Sequence, residues 1–125
     1  MKFSHIDHIV TFVSDLENSK GFYSRIFGFP DHEDDESAVF TIGKTKLFIA
    51  KPYLHDKVRF DKDRVGVNHI ALYIDHEKFG ELVALLDKGG IIHSNIEQDP
   101  YSGNDFVWLD DPDGMRIEFY SRNVS

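Results

Sequence analysis

A chain of 125 residues is the size of one ordinary domain and can bury a sizeable apolar core without staples. It contains no Cys, which excludes disulfides, thiolate nucleophiles and Cys-ligated zinc and leaves chemistry to His, carboxylates, Tyr, Ser or a metal. The formal charge of −8, from 22 acidic against 14 scattered basic residues, argues against a nucleic-acid partner. Polar residues interrupt the N-terminus too often for an export signal, and no apolar stretch is long enough to span a membrane. A cytoplasmic protein with no membrane partner is therefore expected.

In chain order, Asp7-His8-Ile9-Val10-Thr11-Phe12-Val13 is β-branched and aromatic enough for a strand. Ser14 and Glu17 form a capping box, and Leu16, Phe22, Tyr23, Ile26 and Phe27 then share a helical face that ends at Gly28. Three short strands are predicted next, at Phe29 to Glu33, Ser37 to Ile42 and Thr45 to Ala50, with Gly43-Lys44 as a tight turn. The acidic run Asp31-His32-Glu33-Asp34-Asp35-Glu36 lacks the spaced ligands and glycine of a calcium loop and reads as a solvated hairpin. Residues 53–65, rich in Lys, Arg and Asp, read as a charged linker.

The order then repeats. Asn68-His69-Ile70-Ala71-Leu72-Tyr73-Ile74 matches the first segment at an offset of 69 − 8 = 61 residues. Asp75 is the expected cap of a second helix with the stripe Phe79, Leu82, Val83 and Leu86, ended by Gly89-Gly90. Strands are predicted at Ile91 to Glu97, Asp105 to Leu109 and Met115 to Tyr120, with Asp111-Pro112-Asp113-Gly114 as the turn. The expected fold is α+β: one domain of two βαβββ modules, about 1–52 and 66–125, whose curled mixed sheets enclose a cleft.

Strand alternation puts His8 with Val10 and Phe12, His69 with Ala71 and Tyr73, and Arg116 with Glu118 and Tyr120. Ile9, Ile70, Leu72, Ile74, Ile117 and Phe119 form an apolar set suited to packing under the helices. Two His and one Glu then remain for the cleft. Such a set binds a divalent transition metal with open positions for substrate. The same residues also suit a plain structural reading, in which the His cap strand starts and Glu118 pairs with Arg116 or Arg122, and spacing alone does not separate the two.

The segments His8…Val13…Leu16 with Phe22-Tyr23 and Phe27-Gly28-Phe29, then Asn68-His69-Ile70-Ala71, then Asp111-Pro112-Asp113-Gly114-Met115-Arg116-Ile117-Glu118 resemble the vicinal-oxygen-chelate superfamily along nearly the whole chain. This is the group of glyoxalases, bleomycin- and fosfomycin-resistance proteins and extradiol dioxygenases. The resemblance implies one divalent ion (Mn, Fe, Ni, Zn or Co) on His8, His69 and Glu118, and a metal-dependent lyase, thiol transferase or dioxygenase acting on a small oxygen-chelating substrate. Aligning Gly43-Lys44 with Asp113-Gly114 sets Phe48 opposite Glu118, which disfavours a four-ligand glyoxalase because Phe binds no metal. Fosfomycin-modifying relatives usually carry Tyr-Thr before the second His and His after the final Pro-Asp-Gly, where this chain has Val67-Asn68 and Met115.

Glu118 and Tyr120 are the catalytic candidates, and His5, His93 and Tyr101 are further acid–base candidates that more often serve surface or packing roles. Phe12, Phe48, Tyr73, Tyr101 and Arg122 are the substrate-binding candidates, Arg122 for a carboxylate or phosphonate unless it forms a surface ion pair. His32, His55 and His76 read as solvated, Trp108 as packing, and Tyr101-Ser102-Gly103-Asn104 as a cleft-mouth loop or an ordinary turn. The small members' habit of borrowing a module from a second subunit implies a homodimer. The rival readings are a bleomycin-resistance-like binding protein without catalysis and a metal-bound but idle regulator.

Overall fold

Alternating apolar and polar residues make strands that pack on one side only, and two such patterns organise the chain. The computed structural model describes residues 1–55 and 58–123. It divides into two compact units, Met1–Val58 and Arg59–Ser125. Of the predicted linker, residues 56 and 57 lie outside the described residues.

The first unit contains β1 (His8–Phe12), α1 (Leu16–Phe27), β2 (His32–Glu33), β3 (Ser37–Ile42) and β4 (Thr45–Ala50). Its sheet runs β1-β4-β3-β2, with β1 and β4 parallel and the other pairs antiparallel. Helix α1 packs on β3 and β4, burying Leu16, Phe22 and Tyr23 with Ala38, Phe40, Leu47 and Ile49. The Tyr23 ring lies 6.2 Å from Phe27 and 6.0 Å from Phe40.

The cap of α1 differs from expectation. Asp15, not Ser14, accepts the Asn18 N–H, at 3.1 Å, because Asp15 holds the extended backbone of a cap residue. Glu17 instead receives Lys20 Nζ at 3.2 Å. Gly28 ends the helix at φ 84°, a conformation that favours glycine, and donates its N–H to Ser24. The predicted strand at 29–33 shrinks to His32–Glu33, since Pro30 has no N–H for a ladder and Phe29 stands exposed.

The second unit contains β5 (His69–Asp75), a 3-10 turn (His76–Lys78), α2 (Phe79–Lys88), β6 (Glu97–Gln98), β7 (Asp105–Asp110) and β8 (Arg116–Arg122). Its sheet repeats the first order, β5-β8-β7-β6, again with the first pair parallel. The core gathers Phe79, Leu82, Leu86, Ile91, Val107, Leu109, Ile117 and Phe119. Both units are βαβββ modules of an α+β fold.

Asp75 makes no side-chain cap bond and precedes the 3-10 turn, so α2 starts only at Phe79. The predicted strand at 91–97 shrinks to Glu97–Gln98 because residues before it bond otherwise. Ile91 N–H closes on Leu86. Although the Ser94 N–H donates to the Trp108 carbonyl at 2.8 Å, the return bond from the Trp108 N–H goes to the Ser94 hydroxyl at 2.9 Å rather than to a backbone carbonyl. Met115 belongs to the turn, where the Asp111 carboxylate accepts the N–H groups of Asp113 and Met115. No helix among the described residues is long and apolar enough to cross a membrane.

Candidate metal centre

Register places the chemistry of the second module on one sheet face. His69 pairs with Arg116, Ala71 with Glu118, and Tyr73 with Tyr120 across the parallel ladder. Asp110, Trp108 and Phe106 continue those three rows on β7. The opposite parity, with Ile117 and Phe119, is buried, as the apolar pattern requires.

His69 Nε2 lies 3.5 Å from Glu118 Oε1. The Asn68 amide donates to the Lys62 carbonyl at 2.9 Å, so its oxygen faces the ring and accepts from His69 Nδ1 at 2.8 Å. With Nδ1 as the donor, the neutral ring presents a lone pair at Nε2. A lone pair and a carboxylate oxygen thus face each other, an arrangement that calls for a shared proton or a cation between them.

Glu118 is 8% exposed and has no arginine partner among the described residues. Arg116 lies 3.5 Å from Asp110 and over the Trp108 ring, and Arg122 pairs with Asp99 at 2.8 Å. The pairing of Glu118 with Arg116 or Arg122, one of the two structural readings of the sequence, does not occur. Its hydrogen-bond donor is Tyr120, whose hydroxyl reaches Oε1 at 2.8 Å. Burial, and then the bond to Glu118, push the Tyr120 hydroxyl up to about 12, so it keeps its proton near neutrality and acts as a donor. Phe106 stacks on the Tyr120 ring at 4.7 Å.

In the first module His8 opens β1 on its exposed face with Val10 and Phe12. Asp7 accepts from His8 Nδ1 at 2.8 Å, which puts the ring's donor at Nδ1 as in His69. Phe48 presents its ring edge-on to His8 at 5.5 Å, and Phe12 lies 4.8 Å from Tyr53. The structure brings together His69, Glu118 and Tyr120, whereas His8 belongs to the other unit. Among the described residues no group of three or more His, Asp or Glu is placed to hold a metal ion.

The other candidates bond to partners of their own, although Tyr73 pairs with Tyr120 across the ladder and the Arg122 guanidinium lies 4.9 Å from the Tyr120 ring centroid. Tyr73 donates its hydroxyl to the Asn123 carbonyl, and Tyr101 is fully exposed. Arg122 gives its N–H groups to Asp99, Ser102 and the Ser121 carbonyl. His5 bonds to Ser4 on the surface. His93 lies between Asp87, 2.6 Å from Nε2, and the Ser94 carbonyl, 2.7 Å from Nδ1, and its hydrogen bonds to these acceptors raise its affinity for a proton. His32 and His55 are exposed, and His76 contacts Ser121 at 3.1 Å.

The sequence reading missed Asp7 and Asn68, although both precede a candidate His at the same offset of 68 − 7 = 61 residues. It also missed Asp99. The backbone N–H of Tyr101 chiefly, with Ser102 and Arg122, holds that carboxyl below its ordinary value, and so the segment 99–104 is tied down as a turn.

The fold and the His69–Glu118 pair define a class. Residues 5–119 match the Glyoxalase/Bleomycin resistance protein/Dioxygenase superfamily, and the chain belongs to it. It is 26% identical to the uncharacterized protein YaeR of Escherichia coli (strain K12), over 94% of this chain and 95% of that one. A solved glyoxalase family protein from Enterococcus faecalis superposes with a TM-score of 0.79 at 23% identity, covering 97% of this chain and 100% of that one. A mutant of the fosfomycin resistance protein FosX from Listeria monocytogenes, complexed with Mn(II) and a dihydroxypropylphosphonic acid, superposes with a TM-score of 0.71 at 18% identity, covering 98% and 95%.

Proposed function

We propose that the chain is a metal-dependent enzyme of this superfamily that acts on a small oxygen-chelating substrate, with His69, Glu118 and His8 as protein ligands. The observation that carries the reading is the pair itself: an imidazole lone pair facing a buried carboxylate at 3.5 Å with no arginine to neutralise it among the described residues. Two imidazoles and a carboxylate suit Mn, Fe, Ni, Zn or Co, and the Mn(II) in FosX supports a divalent ion in this fold. Bound there, the ion would supply Lewis-acid polarisation of the substrate's oxygens. Asn68 and Asp7 fix the rings with Nε2 presented. Tyr120 orients Glu118 by donating to Oε1 and stays protonated while doing so. Phe12, Phe48, Tyr73 and Tyr101 offer aromatic surface for the organic part of the ligand.

The assignment of His8 to the same ion rests on the family resemblance. We take the protein to be a cytoplasmic homodimer, a reading supported by the absence of Cys and by the symmetric pairing common among soluble oligomers. Sedimentation checks the assembly. Elemental analysis of protein purified without chelators or a His tag is expected to find about one divalent ion per chain, and Glu118→Gln should reduce it. Activity would then be screened on a methylglyoxal–glutathione adduct, fosfomycin and catechols. A wild-type protein that takes up no metal from a Mn(II) or Zn(II) titration would defeat this reading in favour of a binding protein without catalysis, which the exposed aromatic residues Phe12 and Tyr53 would suit.

A further inference from the structure

The face that carries His69 and Glu118 also carries two arginines, and they differ in what they hold. Arg122 is fully engaged, giving one bond to Asp99 at 2.8 Å and others to Ser102 and the Ser121 carbonyl. Arg116 is not. Its Nε lies 3.5 Å from Asp110, at the limit of any hydrogen bond, and among the described residues neither of its terminal nitrogens has a partner. Lys46, which occupies the matching row of the first module, is tied to Asp31 at 3.0 Å and Thr41 at 2.6 Å.

What holds Arg116 is an aromatic ring. Its guanidinium carbon sits 3.6 Å from the centroid of Trp108, the residue paired with Glu118 across the β7–β8 ladder. Arg116 itself pairs with His69 across the β5–β8 ladder. The Arg116 side chain is thus three-quarters buried and its guanidinium seated on a ring, yet it keeps terminal N–H groups unused in the rows of the candidate metal ligands. A guanidinium over a ring face keeps its planar edge free, and that edge matches the two oxygens of a carboxylate or the oxygens of a phosphoryl or phosphonyl group. In a chain of net charge −8, beside a buried Glu, an anion needs a local cation of this kind.

We propose that Arg116, seated on Trp108, receives the anionic group of the small molecule handled by the His69–Glu118 face, so that the substrate is a carboxylate, phosphate or phosphonate. The proposal rests on reading that face as the ligand-binding one. Its test does not require the metal.

Trp108 is the sole tryptophan, so its fluorescence reports directly on its stacked neighbour. Protein stripped with a chelating resin, and the same protein loaded with Mn(II), would be titrated with inorganic phosphate, methylphosphonate and malonate at constant ionic strength. Dimethyl malonate serves as the neutral control. Wild type is expected to give a saturable change with at least one anion and none with the diester. Arg116→Met should weaken that response by about tenfold or more, the value of a charge-assisted bond pair, with its thermal melt retained. Arg116→Gln gives a second neutral variant should the Met form fail to fold. Response to phosphate and methylphosphonate alone assigns a phosphorus oxyanion, and response to malonate alone assigns a carboxylate. The proposal is overturned if no anion gives a saturable change, if the diester matches the anions, or if the folded neutral variants keep wild-type affinity. Because the stripped protein is titrated as well, loss of metal binding would defeat the proposed function while leaving this result readable.

Discussion

The two modules share strand order and register but not chemistry. In the first, β1 pairs with β4 so that His8, Val10 and Phe12 meet Lys46, Phe48 and Ala50. In the second, β5 pairs with β8 so that His69, Ala71 and Tyr73 meet Arg116, Glu118 and Tyr120. Row for row, each module opens with a His whose Nδ1 is tied by the preceding side chain. Two residues on, one module has Phe and the other a buried carboxylate with its own tyrosine donor. The scaffold is thus duplicated, while the anionic ligand candidate exists in one copy only.

The sharpest way to break that comparison is to remove the supports of the second module's pair, one of which the first module lacks and one of which it shares. Tyr120→Phe deletes the donor to Glu118, and Asn68→Ala frees the His69 ring. Each is expected to lower Mn(II) affinity about 10- to 100-fold, read by calorimetry. Asp7→Ala applies the same change beside His8. Equal loss there makes the two His equivalent ligands, and unchanged affinity removes His8 from the set.

A smaller effect separates the helices. Asp15→Ala removes the side-chain cap of α1 and is expected to cost about 1 kcal/mol in denaturant unfolding. Lys78→Ala at the start of α2 should cost far less, since no side-chain cap bond is present there.

The smallest effect is a pH dependence that belongs to the second module. His93 binds its proton more tightly in the fold, first through Asp87 and then through the Ser94 carbonyl. A group whose folded value is raised stabilises fully below its unfolded value, here near 6.5, and loses that contribution as pH rises through the folded value. Melting temperature should therefore carry a decline as pH rises above about 6.5, worth under about 1 kcal/mol, that Asp87→Asn reduces, leaving the part due to the Ser94 carbonyl. An Asp87→Asn protein with the wild-type pH profile would show that His93 is not its source.

Much of this was legible from residue types alone. The repeat at offset 61, the glycines that stop α1 and form the turns, and the parity of β5 and β8 follow from hydrophobic alternation and turn chemistry, both local signals. The misses share another cause. Ser14 and Asp15 are both competent caps, and only the backbone at Asp15 decides between them. Ser94 keeps one backbone bond to Trp108 but takes the return N–H with its hydroxyl, a contact across 14 residues of sequence that breaks the ladder there. Arg122 and Arg116 look alike in sequence, and the difference lies in Asp99 and Trp108, which strand pairing and loop closure bring to them. The partners of Glu118 were hidden for the same reason. Tyr120 sits two residues away, but whether Glu118 would face it or an arginine depended on the fold.

Within the sheet of the second unit, β5 has β8 as its one neighbour among the described residues. His69 and Glu118 are separated by 118 − 69 = 49 residues, so their approach closes a long loop, whereas the β7–β8 hairpin closes a short one. During synthesis on the ribosome, β5 emerges with Ile70, Leu72 and Ile74 unpaired and waits until residues 116–122 have been made. The first module can complete its own parallel pair once residue 50 is free. The module that holds the candidate ligands His69 and Glu118 is therefore the later of the two to become competent, and a nascent chain arrested before β8 would display an unpaired apolar strand to chaperones.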